Sequence, residues 1–172
     1  NLPDNFRSEV VKFAGEVEVF QSYTDDNSAL VSAVENRDIS RSSTALYDAI
    51  YQGITDTTEE SSLLRFVIAF TDGLENSSSN DRGSLIAHAQ SNGIPLISIG
   101  MGGLVSIQDL LEISTQTGGF FFYVHDSTTL ESLFNSINEL INNTHIVTWV
   151  SENSNNVVSV EITAGETFNG SF

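Results

Sequence analysis

The chain has 172 residues, of which 40% are hydrophobic, and this suffices for a single folded domain with a real core. Six basic residues stand against 23 acidic ones, so the formal net charge is -17. Such a charge disfavours nucleic acid and anionic lipid, and no apolar run reaches the roughly 18 residues of a membrane span. Cysteine is absent, which excludes disulfides, thiolate metal sites and cysteine nucleophiles.

The first elements predicted along the chain are a hairpin and a short helix. The hairpin joins Glu9–Phe13 to Glu16–Phe20 through the turn Ala14-Gly15. The helix is predicted near Ser28–Glu35. Its apolar face is expected to contain Leu30, Val31 and Val34.

Three apolar runs farther along the chain predict buried strands of a parallel sheet, because continuous apolarity is typical of strands covered on both faces. These strands are Leu63–Phe70, Pro95–Ile99 and Phe120–Val124. Helices are predicted around them, over residues 44 or 45 to about 54, 83–91, 106–115 and 128–141. The alternation predicts an α/β fold with a Rossmann-like, doubly wound, mostly parallel sheet flanked by helices.

The pattern changes after the last of these helices. Ile146–Val150 and Val157–Ile162 are predicted to form a β-hairpin around a polar turn. We therefore expect the main α/β unit to cover residues 1–144. Residues 145–172 are then either a β-hairpin extension or the start of a following β-domain.

Ligands of such sheets bind beyond the carboxyl ends of the strands, which directs attention to two residues. Asp72 follows the strongest strand and precedes Gly73; it is either a carboxylate presented to a hard cation or part of a common Asp-Gly turn. Thr44 precedes a predicted helix and is either its N-cap or a neutral oxygen ligand.

Sequence motifs for enzymatic chemistry are weak. The loop Gly100–Gly103 departs from the dinucleotide fingerprint because Val105 stands where its third glycine belongs. The three histidines have no triad or metal-ligand spacing, and we expect them to be structural. A nucleotide-dependent enzyme is accordingly the least favoured interpretation, and we expect no enzymatic activity.

Taken in order, the segments from the hairpin to the last helix resemble a von Willebrand factor A domain over roughly residues 6–150. The run Ser43–Ile50 (STALYDAI) and the run Phe66–Gly73 (FVIAFTDG) carry most of the likeness. The resemblance implies a metal-ion-dependent adhesion site at the top of the sheet. In that site Thr44 and Asp72 correspond to metal ligands, and Ser43 and Gly73 beside them are assigned to ligand binding.

The resemblance also implies a function and a gap. The implied function is an extracellular or cell-surface adhesion module, of a bacterial protein, in which Mg²⁺, Mn²⁺ or Ca²⁺ bridges to an acidic group on a protein or surface ligand. Neither nucleic acid nor membrane insertion is expected. The family's D-x-S-x-S motif, which follows its central first strand, is absent, so weak or no ion binding is expected. The alternative is a metal-independent scaffold in a surface, pilus or secretion assembly.

Overall fold

The protein is described from a computed structural model, which covers residues 6–36, 43–62, 64–125, 127–143, 159–164 and 166–171. Its first unit is the predicted antiparallel hairpin, with β1 at Ser8–Phe13 and β2 at Val17–Thr24. The turn closes where the Ala14 N–H donates to the Glu16 carbonyl at 2.9 Å. The hairpin prediction is therefore confirmed, and β2 extends past the predicted end.

Helix α1 (Asn27–Glu35) follows β2 and begins at an acidic cap. The Asp26 carboxylate accepts hydrogen bonds from the backbone N–H groups of Ser28 and Ala29, which have no partner inside the helix. The predicted apolar face was right for Leu30 and wrong for Val31 and Val34. Leu30 and Ala33, three residues apart, form the buried stripe, whereas Val31 and Val34 are 56% and 64% exposed.

Lys12 of β1 fastens the end of α1 to the hairpin. Its ammonium donates to the carbonyl oxygens of Val34, at 3.1 Å, and Asn36, and it lies 4.5 Å from the centre of the Phe20 ring. The last carbonyl groups of a helix lack intrahelical partners, so a cation there supplies donors and matches the negative end of the helix dipole.

Within the described residues, the main sheet contains three parallel strands in the order β3-β4-β5. The strands are β3 (Val67–Thr71), β4 (Leu96–Met101) and β5 (Phe121–Val124). The helices around them are α2 (Leu46–Thr58), α3 (Arg82–Asn92), α4 (Ile107–Gln116) and α5 (Leu130–Asn142). The predicted α/β class is confirmed, with element bounds shifted by a few residues.

Two apolar cores cover the two faces of this sheet. One lies against α2, α3 and α4, and its largest fully buried members are Ile50, Ile54, Leu85, Ile94, Leu96 and Ile113. The other packs under α5 and contains Ile97, Ile99, Val124, Ile137 and Ile141. None of the helices in the described part of the chain has the length and apolarity to cross a bilayer.

Strand β3 is covered less completely than its sequence predicts. Ile68 and Phe70 pair in register with Ile97 and Ile99 of β4, so their side chains share the face that α5 covers on β4. They nevertheless remain 40% and 37% exposed. The expectation that this strand is buried on both faces was therefore wrong for one face.

The C-terminal strands include one that the sequence did not predict. Strands β6 (Ser159–Ala164) and β7 (Glu166–Ser171) form an antiparallel pair, in which Ile162 lies opposite Phe168. The predicted pairing of Val157–Ile162 with Ile146–Val150 stays a prediction, because β6 has a second edge. Residues 146–150 lie outside the described residues, and the domain boundary at 144/145 stays a prediction.

Candidate functional site

The loop after β3 presents Asp72 at the carboxyl end of the sheet. Thr71 is buried, and its hydroxyl both donates to the carbonyl of Gly73, at 3.2 Å, and accepts from the Gly73 N–H, at 3.3 Å. These bonds turn the chain immediately after the strand. Asp72, between them, is exposed.

Thr44 lies one residue before the cap position of α2. The cap position is occupied by Ala45, which has no side-chain oxygen, and the carboxylate of Glu75 accepts the N–H of Tyr47 at 3.0 Å instead. The interpretation of Thr44 as the N-cap was therefore wrong. Its hydroxyl makes no hydrogen bond to any residue in the described ranges.

Three backbone contacts hold the Thr44 and Asp72 loops together. The Thr44 N–H donates to the side-chain oxygen of Asn76 at 2.8 Å, and the Thr44 carbonyl accepts from the N–H groups of Asn76 and Ser77. A Cβ atom built on Gly73 would lie 3.2 Å from the Thr44 hydroxyl oxygen. Glycine at this position thus lets the two loops approach closely.

The four residues singled out from the sequence lie around one place. Ser43, Thr44 and Asp72 line a groove of about 590 Å³ that runs between β1 and β3, and Gly73 lies where an added Cβ atom would meet the Thr44 hydroxyl. The juxtaposition of the two loops is a property of the structure. The role of these residues as ligands stays a prediction.

Two acidic residues that the sequence did not single out fix this loop. Glu75 accepts hydrogen bonds from the N–H groups of Tyr47, Ser77 and Ser78 and from the Ser78 hydroxyl. Burial alone would raise the pKa of Glu75, but these bonds outweigh it and lower the pKa. The carboxylate is therefore ionised and clamps the loop against the start of α2.

Asp48 makes the second clamp, in the first turn of α2. It accepts the N–H groups of Ser79 and Asn80 at 2.8 Å, together with the Asn80 side-chain amide. Burial opposes ionisation, but the hydrogen bonds prevail and lower the pKa of Asp48. The signal in the sequence is the polar run Glu75–Asn80, yet its partners lie about 30 residues earlier, where local pattern gives no guide.

The chemistry of the groove end suits a hard cation only in part. The Thr44 hydroxyl and the Asp72 carboxylate are oxygen donors of the type that Mg²⁺ and Ca²⁺ prefer. Within the described ranges, however, no group of three or more histidine, aspartate or glutamate side chains is arranged to hold a metal. Two side chains leave most of the roughly six coordination positions to water or to groups from elsewhere.

The half-buried histidine His88 has a packing role. His88 of α3 stacks on Tyr51 of α2, with ring centres 4.1 Å apart, and its Nε2 lies 3.0 Å from the Thr55 hydroxyl. His125 is exposed after β5, and His145 lies outside the described residues. This geometry joins α2 to α3 and presents no nucleophile or acid–base pair.

The sequence matches the von Willebrand factor type A domain family over residues 1–136. Solved structures similar to it include a von Willebrand factor type A protein from Catenulispora acidiphila, at 21% identity and TM-score 0.71. That match covers 80% of this chain and 34% of the Catenulispora chain, so this chain spans about a third of that protein. No curated protein matches the sequence.

Two further structures extend the comparison. The conserved hypothetical protein BatB from Bacteroides thetaiotaomicron is 19% identical with a TM-score of 0.66, and the match covers 81% of this chain and 80% of that one. Proximal thread matrix protein 1 from the mussel byssus is 17% identical with a TM-score of 0.66. Its structure is described with zinc in its MIDAS motif, the abbreviation of metal-ion-dependent adhesion site. That match covers 81% of this chain and 35% of the mussel chain. At these identities, the likeness establishes the fold.

Proposed function

Because the chain belongs to the von Willebrand factor type A family, we propose that it is a non-catalytic adhesion or protein-binding module of an extracellular or cell-surface bacterial protein. Its binding end is the end of the groove formed by Ser43, Thr44, Asp72 and Gly73. The observation that carries the proposal is the close approach of the two loops, with a threonine hydroxyl that no described residue engages.

In this proposal, Thr44 and Asp72 hold a divalent cation, Mg²⁺, Mn²⁺ or Ca²⁺. The cation supplies a Lewis-acid bridge to an acidic group on the partner. Ser43 and Gly73 lie where the partner arrives, and the clamps of Glu75 and Asp48 keep the loop in place before it does. A pre-arranged loop lowers the entropy lost on binding.

The charge of the molecule gives the cation a second purpose. An acidic partner is repelled by a chain of net charge -17, and like charges brought together cost free energy. A divalent ion at the groove end reverses the sign of the field locally. The zinc-occupied MIDAS motif of the mussel protein supports a metal at this place in the fold.

Calorimetric titration with Mn²⁺ tests the proposal. We expect Asp72→Asn to weaken Mn²⁺ binding at least about tenfold, since a carboxylate ligand is replaced by a neutral amide of the same shape. The matched control is Asp25→Asn, which removes one charge from an exposed loop outside the groove. Equal weakening in both variants would show diffuse counterion binding and contradict the assignment.

A metal-independent scaffold of a surface, pilus or secretion assembly is the second candidate. It is favoured by the absence of any three-ligand cluster among the described side chains. For this candidate, titrations with Mg²⁺, Mn²⁺ and Ca²⁺ give no heat, and any partner binding persists in EDTA. Heat that disappears with Asp72→Asn would exclude it.

A further inference from the structure

Strand β5 forms the edge of the main sheet on the side away from the groove. Within the described residues it pairs with β4 alone, and β3 and β4 separate it from the groove. The N–H and carbonyl of Phe120 and the carbonyl of Val124 bond to β4 and the residues beside it. Since successive residues of a strand direct their backbone groups to opposite sides, those of Phe121 and Tyr123 point away from β4. The outer edge of β5 therefore offers donors and acceptors to another strand.

This edge has few of the features that usually keep sheet edges apart. No residue from Gly118 to Val124 is charged, and none is proline. The pairing of β5 with β4 runs without a register shift, so no bulge turns the edge away. Charges, prolines and bulges are the common protection of an exposed edge, and β5 has only its short length of four residues. An edge of this composition favours pairing with a further strand.

Helix α4 places apolar side chains beside this edge. Asp109 and Glu112 face α3, because both form ion pairs with Arg82. At about 100° per residue, Ile107 and Leu111 lie on the opposite side of the helix from Asp109. Because α4 packs over β4 and β5, that side of the helix is turned toward the outer edge of β5. Each of the two side chains is 46% exposed.

The two faces of β5 also expose large side chains. Phe121 packs in the core under α4 and Phe122 in the core under α5, so Tyr123 lies on the α4 face and Phe120 on the α5 face. Tyr123 is 40% exposed and Phe120 is 51% exposed. We call the exposed set the β5 patch: Ile107, Leu111, Phe120 and Tyr123. It amounts to roughly 350 Å², a size at which patches on monomers are often functional.

We propose that two copies of this chain associate through the β5 patch, with their β5 strands paired antiparallel about a two-fold axis. With Phe122 on the axis, Phe121 lies opposite Tyr123 of the second copy. These are the residues whose backbone groups point outward in both copies, so they exchange about four hydrogen bonds. The two Phe122 rings become cross-strand neighbours on the α5 face, and the apolar sides of the two α4 helices meet on the other face.

The charge of the molecule favours a second copy over a basic partner at this place. A basic protein is attracted to carboxylates, and the β5 edge has none between Gly118 and Val124. Two copies can therefore meet here without bringing a charge of the strand into contact with another. The remaining surfaces still repel each other, since each copy carries a net charge of -17.

The area of the patch sets the strength of the dimer. Two β5 patches bury roughly 700 Å² of side-chain surface, to which the paired backbone adds, and stable interfaces bury about 1,200 Å² or more. We therefore expect a weak, reversible dimer with a Kd on the order of 100 μM. Salt screens the repulsion between the copies, so the dimer should tighten as NaCl is added. The association does not depend on the proposed metal site and should be the same in EDTA.

Sedimentation equilibrium between about 5 and about 500 μM chain measures the association. We expect a monomer–dimer equilibrium whose Kd falls at least about threefold between about 50 and about 500 mM NaCl. Hydrogen exchange at the two ends of this concentration range identifies the surface. The amides of Phe121 and Tyr123 should exchange rapidly in the dilute monomer and slowly in the concentrated sample.

Two substitutions at one position test strand pairing. Tyr123→Pro removes an N–H that points away from the sheet, which an edge strand tolerates. Tyr123→Val is the matched control, because it keeps the N–H. Both variants lose the hydroxyl that donates to the Gly102 carbonyl at 3.1 Å, so their difference isolates the backbone donor. Tyr123→Pro should dimerise at least about tenfold more weakly than Tyr123→Val.

A second pair of variants tests the helix side of the patch. Leu111→Asp places a charge between the two α4 helices and should weaken the dimer at least about tenfold. The control, Val31→Asp, adds the same charge at a residue of similar exposure, 56% against 46%, on α1, which packs on the hairpin. It should dimerise nearly as the unmodified chain does. Circular dichroism verifies the folding of all four variants, and this pair remains informative if the proline variant unfolds.

Four results would overturn the proposal. The first is a monomer at every concentration and salt. The second is slow exchange of the Phe121 and Tyr123 amides in the dilute monomer, which would mean that this chain covers its own edge. The third is equal dimerisation of the proline and valine variants, which would mean contact without strand pairing. The fourth is equal weakening by Leu111→Asp and Val31→Asp, which would make net charge, and not the patch, the controlling factor.

Discussion

Glu9 of β1 is the residue whose surroundings least suit its charge. It faces the carboxylates of Asp56 and Glu60 and the Tyr23 hydroxyl, and its Oε1 is shielded from water without a hydrogen-bond partner among the described residues. Arg7 is engaged with Glu60, at 2.7 Å. Burial is the largest cause, followed by Asp56, of the rise in the pKa of Glu9 to about 7.

This raised pKa predicts that Glu9 destabilises the fold as the pH rises. Its folded pKa lies above the unfolded value of 4.5, so its contribution to stability is complete below that value and is lost as the pH rises through about 7. We expect the Tm of Glu9→Gln to exceed that of the unmodified chain near about pH 7.5. Near about pH 5 the two Tm values should lie closer together. Thermal unfolding at several pH values measures both.

The control for Glu9 is Glu18→Gln, an exposed glutamate of the same hairpin. Carboxylates with lowered pKa values, such as Asp48 and Glu75, have the opposite effect: the stability that they contribute is lost as the pH falls. Their contribution is the same in each variant and in the unmodified chain, so it cancels when the difference in Tm is taken at each pH. Curves for Glu9→Gln that run parallel to those of the unmodified chain would contradict the assignment.

Single residues also show how far the sequence could be interpreted. Thr44 and Asp72 were identified because each stands next to a strongly patterned element. Local sequence could not decide between cap and ligand at Thr44, because the carboxylate that accepts the Tyr47 N–H at the start of α2 belongs to Glu75, 28 residues after Tyr47. A distant residue that takes over a local role leaves no trace in the local pattern.

At the scale of elements, the start of β5 depends on a glycine pressed against β4. A Cβ atom built on Gly119 would lie 1.9 Å from the Leu96 carbonyl oxygen, which belongs to backbone and cannot move aside without disturbing the sheet. We expect Gly119→Ala to lower the free energy of unfolding by about 2–4 kcal/mol, measured by urea denaturation.

The matched control for Gly119 is Gly103→Ala. A Cβ atom on Gly103 meets nothing within 4 Å, and its backbone is not left-handed. This substitution should change stability by less than about 0.5 kcal/mol. If both variants unfold at the same urea concentration, β5 does not depend on this close approach.

The hydrophobic pattern of the sequence predicted which helices and strands exist. It predicted less well which of their faces are buried by neighbouring elements. The run Leu63–Phe70 did contain a strand, but cover on each face depends on the neighbouring elements, and Ile68 and Phe70 remain exposed beside a groove. In α1 the sequence correctly predicted that Leu30 is buried, yet the small Ala33 lies inward and the larger Val34 does not. Packing against the hairpin decides the burial of these residues.

At the scale of the whole molecule, the net charge of -17 sets the response to salt. Repulsion among so many carboxylates destabilises the compact state, and ions screen it. We expect the Tm to rise by several degrees between about 20 mM and about 500 mM NaCl and then to level off, because the screening length is already short. Differential scanning calorimetry measures the change.

An uncharged osmolyte, such as sucrose, separates screening from general exclusion of solutes. Exclusion of an osmolyte from the protein surface favours burial increasingly as its concentration rises, so the Tm should increase steadily with sucrose and show no plateau. A Tm that is flat in NaCl would mean that the charges are spaced too widely to repel one another appreciably.

The order of the elements, and with it the α/β class, was predictable from the sequence because each element has its own period and boundaries. Pairing was not. Strand β6 selects β7, and β1 and β3 face each other across a groove rather than forming a ladder. Such choices depend on distant backbone edges and not on local composition. The juxtaposition of the Thr44 and Asp72 loops was expected from the carboxyl ends of the strands and from the resemblance.

Lys12 is the sole lysine in the sequence; the residue lines the groove, and its ammonium holds the end of α1. Acylation of that amine would remove both the positive charge and the donors that reach the Val34 and Asn36 carbonyls. Side-chain labelling with an amine-reactive ester is thus confined to one position. The rate of that labelling reports whether the groove between β1 and β3 is open or filled.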